Sequence, residues 1–230
     1  MKRSEINRAI REMEEACARE HCYLPPFCHF SPEEWRTKGR EYDEVRDCKL
    51  GWDITDYGLG DFDRLGFSLI TIRNGNRAMR EKYPQVYAEK LLYLKEGQYS
   101  PNHFHWQKTE DIINRGGGNL LIRVYNSLPD ESVDRVSDVT LHCDGRMFTV
   151  AAGTQIRLTP GESIHVTQRL YHDFNVEAGT GAVLIGEVSE CNDDDADNRF
   201  ELPMGRFPEI EEDEPPYRLL VNEYPPAQEA

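Results

Sequence analysis

No stretch of the 230-residue chain approaches the roughly 20 apolar residues that cross a bilayer, so a membrane-spanning helix is not expected. Clustered cysteines are missing too. Cys17, Cys22, Cys28, Cys48, Cys143 and Cys191 form no C-x-x-C pair and no zinc-type group, and they read as reduced structural thiols of a cytoplasmic protein. Positive charge is scarce: 27 basic against 42 acidic residues give a net charge of −15, which disfavours attraction to nucleic-acid phosphates or anionic lipid. Neutral or cationic small molecules suit such a chain better. The first residues, "MKRSEINRAIREMEEACARE", have no apolar core before a small-residue cleavage site, so no secretory signal is expected. There is no internal repeat and no low-complexity linker, and the length fits one cored domain with an extension.

What is present begins as helix. Ser4 reads as an N-cap, and Ile6, Ala9, Ile10, Met13 and Cys17 recur at helical spacing, which predicts an amphipathic helix over 4–20. Ser31, Pro32, Glu33 and Glu34 read as a second, shorter helix start. The expectation is a helical extension over 1–62, packed on a second unit over 63–230. The apolar stripe of the first helix would cover either its own barrel or a partner's.

From residue 66 the texture changes to short apolar runs bounded by Gly, Asn, Pro and Asp: "GFSLITIRNGN", "YAEKLLYLKEG", "NLLIRVYN", "DVTLHCDGRMFTVAAG", "TQIRLTPG" and "GAVLIGEVS". Asp144-Gly145 is a hairpin signal between two alternating runs. Many strands without intervening helices predict a mainly β protein, an antiparallel barrel or jelly roll. In the tail, the acidic "EIEEDE" reads as a solvated loop and Tyr217 to Val221 as a cover for a sheet edge.

One stretch, "NHFHWQKTE", concentrates chemistry. If "NHFH" and "KTE" lie on adjoining strands with a bend near Trp106 and Gln107, His103 and His105 share one face, as do Lys108 and Glu110. Two imidazoles, an ammonium and a carboxylate turned inward are costly to bury unless paired or bound to a metal. A third imidazole would come from His165 or His172; His142 reads as a surface hairpin residue.

These residues carry a resemblance. Gly97, five residues, His103-x-His105, four residues, Glu110, six residues and Gly117 resemble the first signature motif of the cupin superfamily. The second motif has Thr167 where proline is usual and Arg169 where glycine is usual, which weakens the expected turn, yet His172 falls at the motif's histidine and is favoured over His165. Within the cupins the chain resembles the D-lyxose isomerases, through "LPPFCHFSPEEW", "LGWDITDYGLGDF", "NRGGGNLLIRVYN", "GTQIRLTPGES" and "GRFPEIEEDEPPYRLLVNEY".

That resemblance implies a cupin barrel with an N-terminal helical extension, a divalent metal on His103, His105, Glu110 and His172, and an aldose–ketose isomerase active on D-lyxose and D-mannose. Manganese suits the mixed N/O donor set, with cobalt or iron also possible. A homodimer is expected, in part from the same resemblance. Lys108 is the candidate proton carrier, since repulsion from a dication would ease release of its proton. Glu209 is the candidate carbon base, from a loop expected to cross the barrel mouth; Glu187, an acid inside an apolar strand, competes with it. Asp194 and Arg199, in "CNDDDADNRF", are candidates for sugar hydroxyls, with Glu187 beside them. The alternative is a cupin dioxygenase using the same metal site, against which stand Lys108 and the polar "NDDDADNR" segment.

Overall fold

The computed structural model describes residues 1–193, 196–205 and 207–228. The first apolar stripe folds as expected: Ile6, Ala9, Ile10, Met13 and Cys17 are buried along one face of α1 (Arg3–Arg19). The helix starts just before Ser4, which is therefore not its cap. Instead the Ser4 N–H and hydroxyl both donate to the Asp213 carboxylate, at 2.9 and 2.7 Å. Ser31 does cap α2 (Pro32–Trp35): its hydroxyl accepts from Glu34 N–H at 3.1 Å, and the Glu34 carboxylate takes Ser31 N–H at 2.8 Å. After α3 (Asp43–Asp47) the chain leaves helix, so the extension expected over 1–62 also contains a strand.

In chain order the strands are β1 (Gly51–Thr55), β2 (Phe67–Arg73), β3 (Tyr87–Leu94), β4 (Tyr99–Phe104), β5 (Glu110–Gly117), β6 (Leu120–Ser127) and β7 (Val133–Asp134). They continue as β8 (Val139–Cys143), β9 (Arg146–Val150), β10 (Gln155–Leu158), β11 (Ser163–Val166), β12 (Tyr171–Val176), β13 (Val183–Glu190) and β14 (Arg199–Phe200). Asp144 and Gly145, at φ 51° and 75°, make the β8–β9 turn with both central residues left-handed, as a tight hairpin requires.

One sheet runs β1-β2-β3-β13-β5-β11-β8-β9 and the other β10-β6-β12-β4-β14, every pairing antiparallel. Between them, alternate residues such as Leu92, Ile112, Ile122, Val124, Ile164 and Ile185 form the core, in the jelly-roll manner that the strand pattern predicted. The opposite parity of the larger sheet, with Trp52, Ile54, Ile70, Ile72, Leu91 and Leu184, packs against α1. The stripe of α1 thus covers its own sheet.

The acidic tail is a strap. Glu212 pairs with the buried Arg3 at 2.6 Å, Asp213 holds Ser4, and Glu214 accepts from Asn7 at 2.6 Å. Leu220 then bridges Trp52 of β1, with Val221 N–H donating to Trp52 O at 2.9 Å, so the tail does cover the exposed edge of the larger sheet.

Candidate active site

His103 lies near the end of β4, His105 directly follows that strand and Glu110 opens β5, but these strands are not neighbours: they belong to opposite sheets. Residues 105–109 cross from one sheet to the other, so the two halves of "NHFHWQKTE" face each other across the interior. The expectation of adjoining strands is corrected on that point. Asp197 fixes the crossing: its carboxylate accepts Gln107 N–H at 2.8 Å and Lys108 N–H at 3.0 Å.

A β-bulge aims the histidines. His172 of β12 stands opposite His103 and Phe174 opposite Ser100, so β4 carries one extra residue in the interval that contains Pro101. A strict two-residue period from Ser100 would turn His103 outward; the bulge turns Ser100, His103 and His105 all toward the cavity. The loop before His172 keeps its turn without the usual proline and glycine. Arg169 adopts φ 62°, the left-handed conformation that glycine takes most easily, and its N–H donates to His105 O at 2.8 Å.

Ligand atoms of His103, His105 and His172 lie within 4.8 Å of one another. Each Nδ1 is matched to a backbone carbonyl: His103 to Pro101 O at 2.9 Å, His105 to Asp197 O at 2.7 Å and His172 to Leu170 O at 3.0 Å. If Nδ1 carries the proton, each Nε2 presents a lone pair, the arrangement that orients a metal-binding imidazole. Glu110 Oε1 sits 3.3 Å from His105 Nε2 and 3.1 Å from His172 Nε2, and the latter nitrogen makes no hydrogen bond. Lone pairs converging on a buried carboxylate are repulsive until a cation lies among them, so the donor set fits a divalent metal.

The electrostatics agree. Burial, then the neighbouring His172 and His105, hold the His103 imidazole well below its ordinary pKa and keep it neutral. Burial opposes the charge on Glu110, but Lys108, followed by contacts from His105 and His172, outweighs it and holds the carboxyl well below the usual range. Lys108 Nζ is 2.8 Å from Glu110 Oε2 and 2.8 Å from Glu187 Oε1. All three of these side chains are buried.

The cavity continues along the larger sheet past Asp53, Thr55, Lys90 and Glu187, against an apolar wall that includes Phe67, Leu92, Phe174 and Phe200. Of the sequence-predicted residues, His103, His105, His172, Lys108, Glu110 and Glu187 converge. Glu209 does not: its side chain is exposed, and its carbonyl accepts from the N-terminal amine at 2.8 Å, because the strap has already turned toward α1. Arg199 is corrected for a simpler reason. On the short β14 its neighbour Phe200 faces the cavity, and Arg199 points the other way, 3.4 Å from Glu131. Asp194 lies outside the described residues. His165 is on the outer face, bonded to Asp111 at 2.8 Å.

Sequence reasoning missed Asp53 and Lys90, and had Asn192 only as one member of the polar "CNDDDADNRF" cluster. Lys90 carried a readable signal, since it lies in "KLLYL" as Glu187 lies in "LIGEVS", a charge within an apolar strand. Its Nζ is 3.4 Å from Glu187 and 2.7 Å from Asn192 Oδ1.

Comparison with known proteins places this geometry. The family model described as D-lyxose isomerase matches residues 1–224. The D-lyxose/D-mannose isomerase of Serratia proteamaculans is 48% identical over 225 residues, covering 97% of this chain and 98% of the relative. That of Escherichia coli O157:H7 is 46% identical with the same coverage. Among solved structures, the L-ribose isomerase of Cellulomonas parahominis with L-ribose superposes with a TM-score of 0.59 at 16% identity, covering 92% of this chain and 98% of that one. The L-ribose isomerase of Acinetobacter sp. DL28 gives 0.56 at 12% identity, covering 91% and 98%. These two likenesses establish the shared fold, a cupin-type barrel with an N-terminal helix. A match along nearly the whole chain, at close to half identity with two relatives, decides the family: this chain belongs to the D-lyxose isomerase family of sugar isomerases.

Proposed function

We propose that the protein is a metal-dependent aldose–ketose isomerase that interconverts D-lyxose with D-xylulose, and D-mannose with D-fructose. The observation that carries this reading is the buried Lys108–Glu187 pair, 2.8 Å apart, in the same cavity as three imidazoles and Glu110. The relatives named for D-lyxose and D-mannose supply the substrates. A divalent cation held by His103, His105, His172 and Glu110, manganese by the donor set, would supply a Lewis acid for two adjacent sugar oxygens.

The remaining chemistry falls to the chain. Glu187 takes a proton from C2 of the open-chain aldose and, after its acidic hydrogen has exchanged with solvent, delivers a proton to C1, passing through an enediol. Lys108, held between Glu187 and Glu110, gives a proton to O1 and takes one from O2. The apolar wall of Phe67, Leu92, Phe174 and Phe200 keeps bulk water from the reacting carbons. An oxygen-consuming dioxygenase would give this acid–base pair no task.

The test is to strip the purified protein of metal, restore manganese, cobalt or iron separately, and follow ketose formation from D-lyxose and D-mannose. Activity that is lost on stripping and returns with manganese supports the reading. No conversion with any divalent metal, or oxygen uptake in its place, overturns it.

A further inference from the structure

Glu187 stands between two ammoniums. Lys108 Nζ is 2.8 Å and Lys90 Nζ 3.4 Å from the same carboxylate oxygen, Oε1. The amide of Asn192 sets this difference in part, because its Oδ1 accepts from Lys90 Nζ at 2.7 Å and from Lys108 Nζ at 3.2 Å. Asn192 is itself anchored. The Asn74 side chain, 5% exposed at the end of β2, takes Asn192 N–H on its Oδ1 at 2.9 Å and donates from Nδ2 to Asn192 O at 3.1 Å and Cys48 O at 3.2 Å. One side-chain amide thus fixes the Asn192 backbone just past the end of β13 and ties it to Cys48.

We propose that Asn192 is a positioning residue of the isomerase reaction, with its backbone fixed by Asn74. It diverts Lys90 so that Lys108 is the ammonium that closes on Glu187. The proposal rests on the function proposed above, in which Glu187 is the carbon base. Without the Asn192 amide, Lys90 needs to move only a few tenths of an ångström to bond Glu187 Oε1. A carboxylate oxygen that carries two ammoniums is a weaker base than one that carries one.

The experiment is a double-variant cycle on the metal-loaded enzyme. Asn192→Ala is expected to lower kcat for D-lyxose roughly tenfold or more with KM changed less than about threefold; in a Lys90→Gln background the same change should cost less than about threefold in kcat. Asn192→Asp, which keeps an acceptor for Lys90, should restore much of the kcat lost in Asn192→Ala. An equal loss in both backgrounds overturns the proposal, as does a loss confined to KM. A crystal structure of Asn192→Ala decides the point independently of activity. Lys90 Nζ closed to about 2.8 Å from Glu187 Oε1 supports the proposal, and Lys90 left at its present separation refutes it. If the wild type converts neither D-lyxose nor D-mannose, the isomerase reading falls, and the crystal structure still judges the contact.

Discussion

His103 of β4 and His172 of β12 stand directly opposite each other across an antiparallel pair, their ring centres 4.3 Å apart. Residues distant in sequence are thereby held in register by backbone hydrogen bonds, and the bulge in β4 turns His103 to meet its partner. The metal-binding reading depends on this pairing. Chelation should lower the melting temperature, and manganese should raise it again as its concentration increases, because a ligand that binds only the folded state stabilises it. His172→Ala should abolish both the response and metal retention by elemental analysis; an unchanged response would contradict the assignment.

Glu187→Gln keeps the shape of the side chain and removes the base. The turnover number should fall by about 10² to 10⁴, the usual contribution of a positioned general base, with metal content unchanged. Steady-state kinetics beside elemental analysis makes the check, and a loss below about tenfold would remove Glu187 from the carbon-base role.

Arg3 is 2% exposed and bonds both Glu212 and Glu223, tying the start of α1 to the strap. Arg3→Ala leaves the half-buried Glu223 without this partner, while the more exposed Glu212 regains water. A loss of about 1–3 kcal/mol in chemical denaturation is expected, with little change in KM for the sugar. Unchanged stability would mean that the strap is held by its backbone contacts alone.

The strap also sets an acid response. Hydrogen bonds from Arg3 hold the Glu212 carboxyl below its ordinary range, and those from Ser4 do the same for Asp213. A carboxyl whose folded pKa is depressed contributes stability that is fully present above its unfolded value, near 4, and is lost as pH falls through the lower folded value. Denaturation midpoints should therefore decline below about pH 4, and Ser4→Ala should flatten that decline. An identical slope in the variant would assign the acid sensitivity elsewhere.

Much of the site was legible because strand periodicity and motif spacing are local. His103, His105 and Glu110 could be grouped from their spacing and the Asp144-Gly145 hairpin from its turn residues, whereas His172 is preferred to His165 only through the cupin resemblance. What was not legible depends on contacts far apart in sequence. Nothing in "WQKT" says whether a bend closes a hairpin or crosses between sheets. Arg199 and Phe200 differ by one position in a strand too short to show its parity. Glu209 is placed at the barrel mouth only by supposing that its loop crosses there, while the salt bridges that draw its segment to α1 come from Arg3, over 200 residues earlier. Lys90 and Asn192 meet only because β3 and β13 pair.

The most direct measurement is proton NMR of the manganese-loaded enzyme converting D-lyxose in heavy water, with Glu187→Gln alongside. Proton transfer through an enediol by Glu187 should give D-xylulose carrying deuterium at C1, with neither isomerisation nor exchange in the variant. Ketose that keeps protium at C1 through full equilibration, or a variant that turns over at the wild-type rate, would contradict it.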